Sequence, residues 1–555
     1  MQDYDKLTSF LGDWGPFQMA IFFLLSLTAV PNGYMGLSVV FLADTPPHFC
    51  RARSGNGSGS PINASLISSK LIDGSSALGS CTRLKWTGEG QVNETEECLD
   101  GWEFGKERYA STIVTEWNLV CSEAWKVPAC TSVYFCGVLA GSMLSAQFSD
   151  RFGRKKTLFI TLAMQTVCSL IQVASVNWLM FCILFFFVGF AQISKYISAF
   201  VLGNELLVKS IRITYSTLGV CVFYALGYAA LPMFAYFIRD WRMLLLALSL
   251  PGVLYTPLWW LIPESPRWLL SQGEMEEAKA ILHAAAQKNG VTPPEVIFTP
   301  DESLELMKTQ RLYTYIDLFR TRNIRYLTAL VCLIWMANTI GYYGISLNTS
   351  NMNGDPYITC FISAATEIAA YTIAWAILKH APRRCVLSIL LLLSGSLLLF
   401  IQFVPSELPI LTIILAMTGK FGLTISTSVI YVYSSELFPT VVRNMGMGAA
   451  SMFSGIGGIT APYFPYFGVY NKIVPYIIMG CLTLAMGFSS LLLPETETLP
   501  FPEKMEDVQP LRWLCLPDFL GVCENPRNPD CSCHSVERSD PTLECPRATP
   551  PQSFP

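Results

Sequence analysis

Long apolar runs recur along almost the whole chain and alternate with shorter polar connections. Windows of about 19 residues, the length that crosses about 30 Å of hydrocarbon as a helix, identify roughly twelve such runs. They lie at 17–42, 126–148, 158–176, 178–203, 214–238, 243–262, 326–347, 357–378, 386–404, 408–433, 445–467 and 474–493. The pattern predicts an all-α membrane protein with twelve transmembrane helices in two halves of six.

Polar segments divide the chain around these runs. We expect a cytosolic N-terminus, an N-terminal half that includes an extracellular loop, a cytosolic linker, a C-terminal half and a cytosolic tail. The linker opens with PESPRWLL, in which Ser265 is a suitable N-cap and Pro266 a suitable first helical residue, so we predict short amphipathic helices there. The N-terminus covers 1–16 and the N-terminal half 17–262, with its extracellular loop at 43–125. The linker covers 263–325, the C-terminal half 326–493 and the tail 494–555.

Composition and the distribution of charge agree with a polytopic membrane protein. Of the 555 residues 52% are hydrophobic and 14% are charged, and the mean hydropathy is +0.41. The net charge of -4 does not indicate a nucleic-acid partner. Basic clusters occur in alternate connections, as in DRFGRKK at 150–156 and KHAPRR at 379–384. The positive-inside rule therefore places these connections and both termini in the cytosol.

The long loop after the first run has the features of an extracellular segment. Its sequons begin at Asn56, Asn63 and Asn93, and sequons are glycosylated on the lumenal side. Asn348-Thr-Ser is a fourth candidate, close to the end of an apolar run. The loop also holds four cysteines, for which three disulfide pairings are possible in an oxidising compartment. These cysteines are Cys50, Cys81, Cys98 and Cys121.

The last sixty or so residues change to a composition rich in Pro, Ser and Cys. The motif CSCH at 531–534 suggests zinc, but the spacing lacks the two paired ligand sets of a structural zinc site. We therefore expect a disordered, reduced tail and no bound metal. Palmitoylation of Cys515 is a further possibility.

Motifs for ATP-driven transport and for enzymatic chemistry are absent from the sequence. There is no GxxxxGK[ST] phosphate loop and no HExxH, and the histidines, His48, His283, His380 and His534, all fall outside the apolar runs. No cluster of nucleophile, base and orienting group is recognisable, so we expect neither an enzyme nor an organic cofactor. The function classes that remain are a secondary or facilitated transporter, a channel and a receptor.

Several motifs together resemble one transporter family. SDRFGRKK after the second run, RDW at 239–241 and PESPRWL after the sixth run are similar to the major facilitator superfamily. WGPFQ, PNGYMGLSVVFL, CLDGWEF, STIVTEWNLVC, YSTLGVC, YFIRDWRMLLLAL and YVYSSELFPTVVRNMG resemble the organic cation/carnitine transporters within it. The resemblance extends from residue 1 to about 500. Ala146 stands where the family motif usually has Gly, and the small side chain should still allow close helix packing.

The resemblance implies gates at the cytosolic ends of the helices. Asp150, Arg151 and Arg154 of SDRFGRKK can form ion pairs that close one face and break when the other face opens. Glu205 with Arg212 in the first half, and Glu436 with Arg443 in the second, are the expected gating pairs.

One apolar run contains an internal cation. FAQISKYISAF at 190–200 places Lys195 on one helix face with Gln192, Tyr196 and Ala199. A lysine near the middle of a membrane costs about 3 kcal/mol even on insertion scales, so this face should point into the bundle or a wet cavity. Two interpretations remain open. Lys195 either pairs with Glu367 of the eighth run as a structural strut, or binds the carboxylate of a substrate.

The resemblance bears on this choice. In betaine-handling relatives an arginine of the eleventh span faces the substrate carboxylate, and in the cation-selective branch an aspartate lies nearby. Gly455 stands at the matching position of this chain, and Lys195 stands where those relatives have an asparagine. We hypothesise that the cationic anchor has moved from the second half to the first.

Aromatic and oxygen-bearing side chains complete the expected site. A quaternary ammonium group requires aromatic faces, because it has no hydrogen-bond donor. Tyr196, Tyr224 and Tyr342 are the candidates, and ordinary aromatic packing is the alternative. Resemblance to sodium-coupled carnitine carriers implies that Na⁺ binding involves Asn32, Gln165, Tyr433 and Glu436, with the PNG sequence at 31–33 interrupting the first helix.

These observations favour an alternating-access carrier in the plasma membrane. The expected substrate is a small zwitterion with a quaternary ammonium and a carboxylate, such as carnitine or a related betaine, and the expected coupling ion is Na⁺. The first alternative is a sodium-independent facilitator of organic cations or organic anions. A receptor that keeps the fold without transporting is the second.

Overall fold

The helices follow the predicted apolar runs closely. This computed structural model describes residues 9–12, 14–51, 81–84, 95–98, 100–292, 318–352, 354–405, 407–439, 442–468 and 471–496. Ten helical segments in these ranges are long and apolar enough to cross a membrane: Pro16–Leu42, Cys121–Phe152, Arg154–Val173, Trp178–Leu206, Ser210–Phe237, Trp241–Leu261, Arg322–Leu347, Pro356–Lys379, Arg383–Phe403 and Pro409–Leu437. Arg443–Thr460 and Val474–Ser490 complete the twelve predicted spans, which we number in chain order.

The first span is a broken helix, but the breaks do not fall on the predicted residues. It consists of Pro16–Leu27, Val30–Gly36 and Val39–Leu42. The PNG sequence lies inside the second piece, with Pro31 in its first turn, where a missing N–H group does no harm. The interruptions therefore flank PNG on both sides.

Two other spans of the first half are also irregular. The fifth comprises a helix at Lys209–Thr214, a π-helical segment at Tyr215–Cys221 and a helix at Val222–Phe237. A π segment inserts an extra residue into a turn and rotates the side chains that follow it. The sixth span is divided at Pro251 and Pro257 into Trp241–Ser249, Pro251–Leu254 and Leu258–Leu261.

The described parts of the loop between the first two spans contain two strand pairs and two disulfides. Strand β1 (His48–Cys50) pairs antiparallel with β4 (Trp102–Phe104), and β2 (Thr82–Leu84) pairs with β3 (Thr95–Glu97). Of the three possible pairings, the structure joins Cys50 to Cys98 and Cys81 to Cys121. A short helix at Ile113–Trp117 precedes the second span, which begins with a 3-10 turn at Cys121–Glu123.

The four predicted sequons fall into two groups. Asn56, Asn63 and Asn93 lie outside the described residues. Asn348 is only 5% exposed and its side chain donates a hydrogen bond to the Tyr476 hydroxyl at 3.0 Å. The structure therefore contradicts glycosylation at Asn348, because the acceptor amide is buried and already bonded.

The predicted linker helices are present after the sixth span. They cover Pro266–Gln272 and Met275–Asn289. The Ser265 hydroxyl accepts a hydrogen bond from the Trp268 backbone N–H at 3.2 Å, which confirms Ser265 as the N-cap. The rest of the linker to residue 317 and the cysteine-rich tail lie outside the described residues.

The end of the bundle that carries SDRFGRKK, here called the basic end, is held by ion pairs within each half. In the first half Arg154 contacts Glu205 at 3.1 Å and Asp150 at 2.8 Å. One oxygen of Glu264, which follows the sixth span, accepts hydrogen bonds from the backbone N–H groups of Arg154 and Lys155 at 3.0 Å.

Gly153 makes this junction possible. Its φ is +100°, and a Cβ there would lie 2.5 Å from the Glu264 carboxylate. SDRFGRKK thus needs its glycine for both the backbone conformation and the close approach of Glu264.

A similar junction closes the basic end of the second half. Arg383 contacts Glu436 at 3.6 Å. Glu495, which follows the twelfth span, accepts a hydrogen bond from the Arg384 backbone N–H at 3.4 Å. The Thr496 hydroxyl donates to Glu436 at 2.5 Å. The ion pairs described at this end therefore join residues of the same half.

The two halves meet along the fifth and eighth spans and along the second and eleventh spans. At the opposite end of the bundle, here called the loop end, Tyr357 of the eighth span stacks on Phe41 with ring centroids 5.3 Å apart. The ring centroids of Tyr109 and Tyr236 lie 6.3 and 5.6 Å from the ring centroid of Tyr357. The loop end is closed by aromatic contacts between halves.

A close backbone approach fixes the first span against the fifth. A Cβ added to Gly33 would lie 1.9 Å from the Tyr224 carbonyl oxygen and 2.7 Å from the Tyr228 nitrogen. Gly33→Ala should therefore separate the two helices and lower the stability by about 1–3 kcal/mol, as overpacking does. We expect a lower melting temperature of the purified protein. Gly105→Ala is the matched control, since its nearest neighbour atom would be 3.5 Å away. Equal melting temperatures for both variants would contradict the assignment.

Candidate functional site

Three charged side chains lie in the middle of the described spans. Lys195 belongs to the fourth span, Glu367 to the eighth and Lys420 to the tenth, and all three are 0% exposed. The other charged residues of the described helices lie near the ends. Because charge is costly in a low-dielectric interior, these three groups define the site.

Lys420 and Glu367 form a buried ion pair. The Lys420 ammonium lies 2.7 Å from Glu367 Oε1. The same oxygen accepts a hydrogen bond from the Tyr342 hydroxyl at 2.9 Å. The second oxygen, Glu367 Oε2, has no hydrogen-bond partner among the described residues. The carboxylate thus keeps one acceptor atom available.

Aromatic rings surround the ammonium end of the pair. Lys420 Nζ lies 4.8 Å from the ring centroid of Tyr228 and 5.4 Å from that of Tyr342, both within cation–π range. It also donates to the Ser363 hydroxyl at 2.5 Å. Tyr228 of the fifth span donates to the same hydroxyl at 3.1 Å, so the pair is connected to the first half.

Lys195 has no such partner. It is fully buried, and its ammonium makes no hydrogen bond or ion pair with any described residue. The expectation of an interior position is confirmed. The alternative in which Lys195 pairs with Glu367 is wrong, because Lys420 holds that carboxylate.

Gln192 connects the fourth span to the first and second. Its Oε1 accepts a hydrogen bond from the Tyr134 hydroxyl at 2.8 Å, and its Nε2 donates to the Asn32 carbonyl oxygen at 2.9 Å. Gly36 leaves the space for this contact, since a Cβ there would lie 2.8 Å from Gln192 Nε2 and 3.6 Å from the Tyr224 hydroxyl. The predicted residues Gln192, Asn32 and Tyr224 therefore lie around one point of the first half.

Two of the three predicted tyrosines lie close together. The Tyr224 side chain lies near that of Tyr342. Because Tyr342 also contacts Glu367 and Lys420, this pair joins the fifth span to the buried ions.

The third predicted tyrosine lies toward the basic end. Tyr196 stacks on Phe200 at 6.4 Å, and Phe200 contacts Tyr431 of the tenth span at 5.9 Å. Tyr431 also contacts Trp335 at 5.8 Å, yet its side chain is 42% exposed. The space between the halves is therefore open beside Tyr431.

Gly455 lies at the contact between the second and eleventh spans. A Cβ there would lie 2.8 Å from the Leu139 side chain. The position thus faces the first half, where a charged side chain would have to displace Leu139.

The residues predicted to bind Na⁺ do not form one cluster. Asn32 Oδ1 and Gln165 Oε1 are buried and have no hydrogen-bond partner in the described part of the chain. Tyr433 lies at the basic end, where its hydroxyl donates to the Pro494 carbonyl oxygen. Glu436 is held by Arg383 and Thr496. Tyr433 and Glu436 are parts of the basic-end junction.

The predicted gating residues lie at the basic end. Asp150 and Glu205 both contact Arg154, whereas Arg151 lies over the Phe152 ring at 5.7 Å. Arg212 Nε donates to the Leu207 carbonyl oxygen at 3.1 Å. Arg443 lies close enough to Glu436 for electrostatic attraction. Glu205 also pairs with Arg154, and Glu436 with Arg383.

Sequence reasoning missed Lys420 and its partner Ser363. The signal was available, because TGKFGLT at 418–424 places a lysine inside an apolar run in the same way as SKYIS does for Lys195. Tyr228 was missed as well, although it lies one helical turn after Tyr224.

Comparison with known proteins agrees with this architecture. The sequence model of the family described as "Sugar (and other) transporter" matches residues 93–507. The inward-open xylose transporter XylE from E. coli superposes with a TM-score of 0.58 at 14% identity, covering 87% of this chain and 98% of that one. At this identity the likeness shows the fold alone. The family match and the fold together show a solute transporter of the major facilitator superfamily.

Sequence relatives narrow the assignment. "Organic cation/carnitine transporter 2" of Homo sapiens is 50% identical over 525 residues, covering 92% of this chain and 94% of the relative. "Solute carrier family 22 member 21" of Mus musculus is 48% identical over 564 residues, covering 98% and 99%. "Organic cation transporter protein" of Drosophila melanogaster is 36% identical, covering 91% and 94%. The chain belongs to the organic cation/carnitine transporter family and is not an enzyme.

The buried ion pair predicts a specific pattern of stability. Lys420→Met leaves an unpaired buried carboxylate and should cost about 3–5 kcal/mol, and Glu367→Gln leaves an unpaired ammonium. The double variant should recover most of the loss, because neither charge remains. Lys195→Met is the control and should not destabilise, since Lys195 has no partner to lose. Melting temperatures of the four purified variants check this. A double variant no more stable than the single ones would refute the pairing.

Proposed function

We propose that this protein is a plasma-membrane secondary transporter of small zwitterionic quaternary-ammonium solutes, carnitine or a related betaine, coupled to Na⁺. The observation that carries the proposal is the charge balance of the interior. Lys420 and Glu367 neutralise each other, which leaves Lys195 as one uncompensated cation among the described spans. A carboxylate-bearing solute supplies the missing negative charge.

The opposite end of such a solute needs a different environment. A quaternary ammonium group has no donor and binds best against aromatic faces and a carboxylate. Tyr342 and Tyr228 already hold the ammonium of Lys420 in this way, and Tyr224 adjoins Tyr342. The free oxygen of Glu367 adds a negative group beside these rings. Positive and negative subsites on the two halves suit a zwitterion better than a simple cation.

Two buried oxygens support the proposed sodium coupling. Na⁺ prefers oxygen ligands, often beside a broken helix. Asn32 Oδ1 lies in the broken first span, and Gln165 Oε1 lies in the third; neither has a protein partner among the described residues. Tyr433 and Glu436 would affect coupling indirectly, through the basic-end junction.

The proposed transport cycle is alternating access. Aromatic contacts between halves close the loop end, whereas Tyr431 remains 42% exposed between the halves toward the basic end. By the positive-inside rule the basic end faces the cytosol, so this conformation faces inward. Transport would exchange it for one in which the Tyr357 contacts are broken.

Uptake of labelled carnitine tests the substrate and the ion together. Cells that express the chain should accumulate carnitine with external Na⁺ and lose most of the uptake when N-methylglucamine replaces it. Untransfected cells are the control. Uptake that is equal in both media would contradict sodium coupling, and no uptake in either would contradict the substrate assignment.

Substitution of Lys195 tests the carboxylate anchor. Lys195→Asn should raise the KM for carnitine by about tenfold to a hundredfold, the range expected for a lost charge-assisted hydrogen bond. Choline has the quaternary ammonium but no carboxylate, so the concentration of choline that inhibits uptake should be the same for the variant and the unmodified protein. Surface labelling must show equal amounts of both proteins. An unchanged KM would show that Lys195 is not the anchor.

A second function is favoured by the same uncompensated charge. Gly455 has no charged side chain that could bind either end of a substrate, and the positive charge of Lys195 attracts anions. A sodium-independent facilitator of organic anions or organic cations is therefore the alternative. Organic-anion uptake that ignores Na⁺, without carnitine uptake, would establish it.

A further inference from the structure

A groove lies on the outer surface of the second half, between the eighth and tenth spans. It has a volume of about 530 Å³, within the size range of sites that bury a small organic ligand. Its walls include Ile358 and Ile362 of the eighth span and Ile410 and Ile414 of the tenth, and all four side chains are exposed. Because this apolar surface belongs to two membrane-spanning helices, a component of the membrane fills the groove.

The length of the groove fits a lipid of one leaflet. From the N-cap Asp355 it extends to Thr366 along the eighth span, and from Ile410 to Phe421 along the tenth. At about 1.5 Å per residue each wall is about 16 Å long, which is half of a hydrocarbon thickness of about 30 Å. Asp355 lies at the loop end, so the groove is confined to the leaflet on that side. A transmembrane helix of another protein would cross both leaflets.

The walls of the groove offer a ligand an apolar and stiff surface. The hydroxyls of Thr359, Thr366 and Thr418 each donate to a carbonyl oxygen of their own helix, at 2.9, 2.8 and 2.8 Å. The other described wall residues below the mouth are apolar, and most of them are isoleucines, whose side chains are stiff at χ1. The groove therefore suits a rigid, apolar body without polar groups along its length.

The charge at the mouth of the groove distinguishes between classes of lipid. Asp355 is exposed there, and its Oδ1 accepts a hydrogen bond from the Tyr357 backbone N–H at 2.9 Å. None of the described residues that line the groove is basic. A phospholipid would bring its phosphate, the charged group nearest to its tails, next to this carboxylate, and like charges repel. A sterol has a hydroxyl group in the same place, which can donate to a carboxylate oxygen.

We propose that this groove binds a sterol from the leaflet on the loop-end side, with the sterol hydroxyl at Asp355 and the rings between the eighth and tenth spans. The site is separate from the proposed substrate site and goes beyond the proposed function. It lies on the outer faces of two helices whose buried faces carry Glu367 and Lys420. The bound sterol packs against the back of the helix pair that these two ions hold together.

Photochemical labelling of the purified, full-length protein tests the site. The protein is reconstituted into phosphatidylcholine vesicles that contain a cholesterol analogue with a photoreactive diazirine, and labelled peptides are identified by mass spectrometry. The labels should lie in the two wall segments, 354–366 and 410–421, and should be lost when excess unlabelled cholesterol is added. Labels spread evenly over the lipid-facing surface, or labels that cholesterol does not displace, would overturn the proposal.

Filling the groove gives a matched pair of variants. Ile414→Trp places a larger side chain in the groove, so labelling of the wall segments should fall to the level left by excess cholesterol. Ile389→Trp makes the same change at an exposed residue of the ninth span, outside the groove, and should leave the labelling unchanged. Both side chains face lipid, so both variants should fold, which their melting temperatures check. Full labelling of Ile414→Trp would show that the sterol does not occupy the groove.

A second lipid tests the charge at the mouth. Asp355→Asn keeps an oxygen that can cap the helix and accept the sterol hydroxyl, but it removes the negative charge. Sterol labelling should persist, whereas labelling of the wall segments by a photoreactive phosphatidylcholine should rise. Equal labelling of the unmodified protein by the two lipids would overturn the choice of a sterol. None of these measurements needs carnitine uptake, so failure of the sterol site and failure of the proposed transport function are distinguished.

Discussion

The ion pair between Lys420 and Glu367 is the interaction on which the interior of the second half depends. Two charges removed from water lose several kcal/mol of hydration each, and only close contact with further hydrogen bonds offsets that loss. Tyr342, Ser363 and the ring of Tyr228 supply these contacts. The pair thereby fixes the relative rotation of the eighth and tenth spans and presents Tyr228 to the boundary between halves. Without it the second half would contain either a bare carboxylate or a bare ammonium.

The two halves consequently differ in what they offer a solute. The second half is electrically balanced and retains one free carboxylate oxygen, whereas the first half contains Lys195 without a counter-ion among the described residues. An uncompensated buried lysine is destabilising, so its presence is better explained by binding than by packing. In the proposed function, this difference in charge would orient a zwitterion with its anionic end toward the first half.

Much of the fold could be predicted because the membrane imposes a length on every helix. Apolar runs set the twelve spans, and Ser265 and Pro266 set the start of the linker helices. The disulfide pairing could not be predicted, since four cysteines in a folded loop have no local signal for their partners. The partner of Glu367 was misjudged for a similar reason. Sequence shows that Glu367, Lys195 and Lys420 lie inside spans, but not which helix faces meet across the bundle.

The three-way junctions at the basic end occur at equivalent places in both halves. Arg154 and Arg383 begin the third and ninth spans, Glu205 and Glu436 lie near the ends of the fourth and tenth, and Glu264 and Glu495 follow the sixth and twelfth within the tripeptides PES and PET. This correspondence is the mark of an ancestral six-helix unit that was duplicated within one gene. The copies kept their junctions and diverged in the middle, where Lys195 and Lys420 occupy different places. Descent from a common repeat thus preserved the machinery of movement while the chemistry of recognition was free to change in each copy.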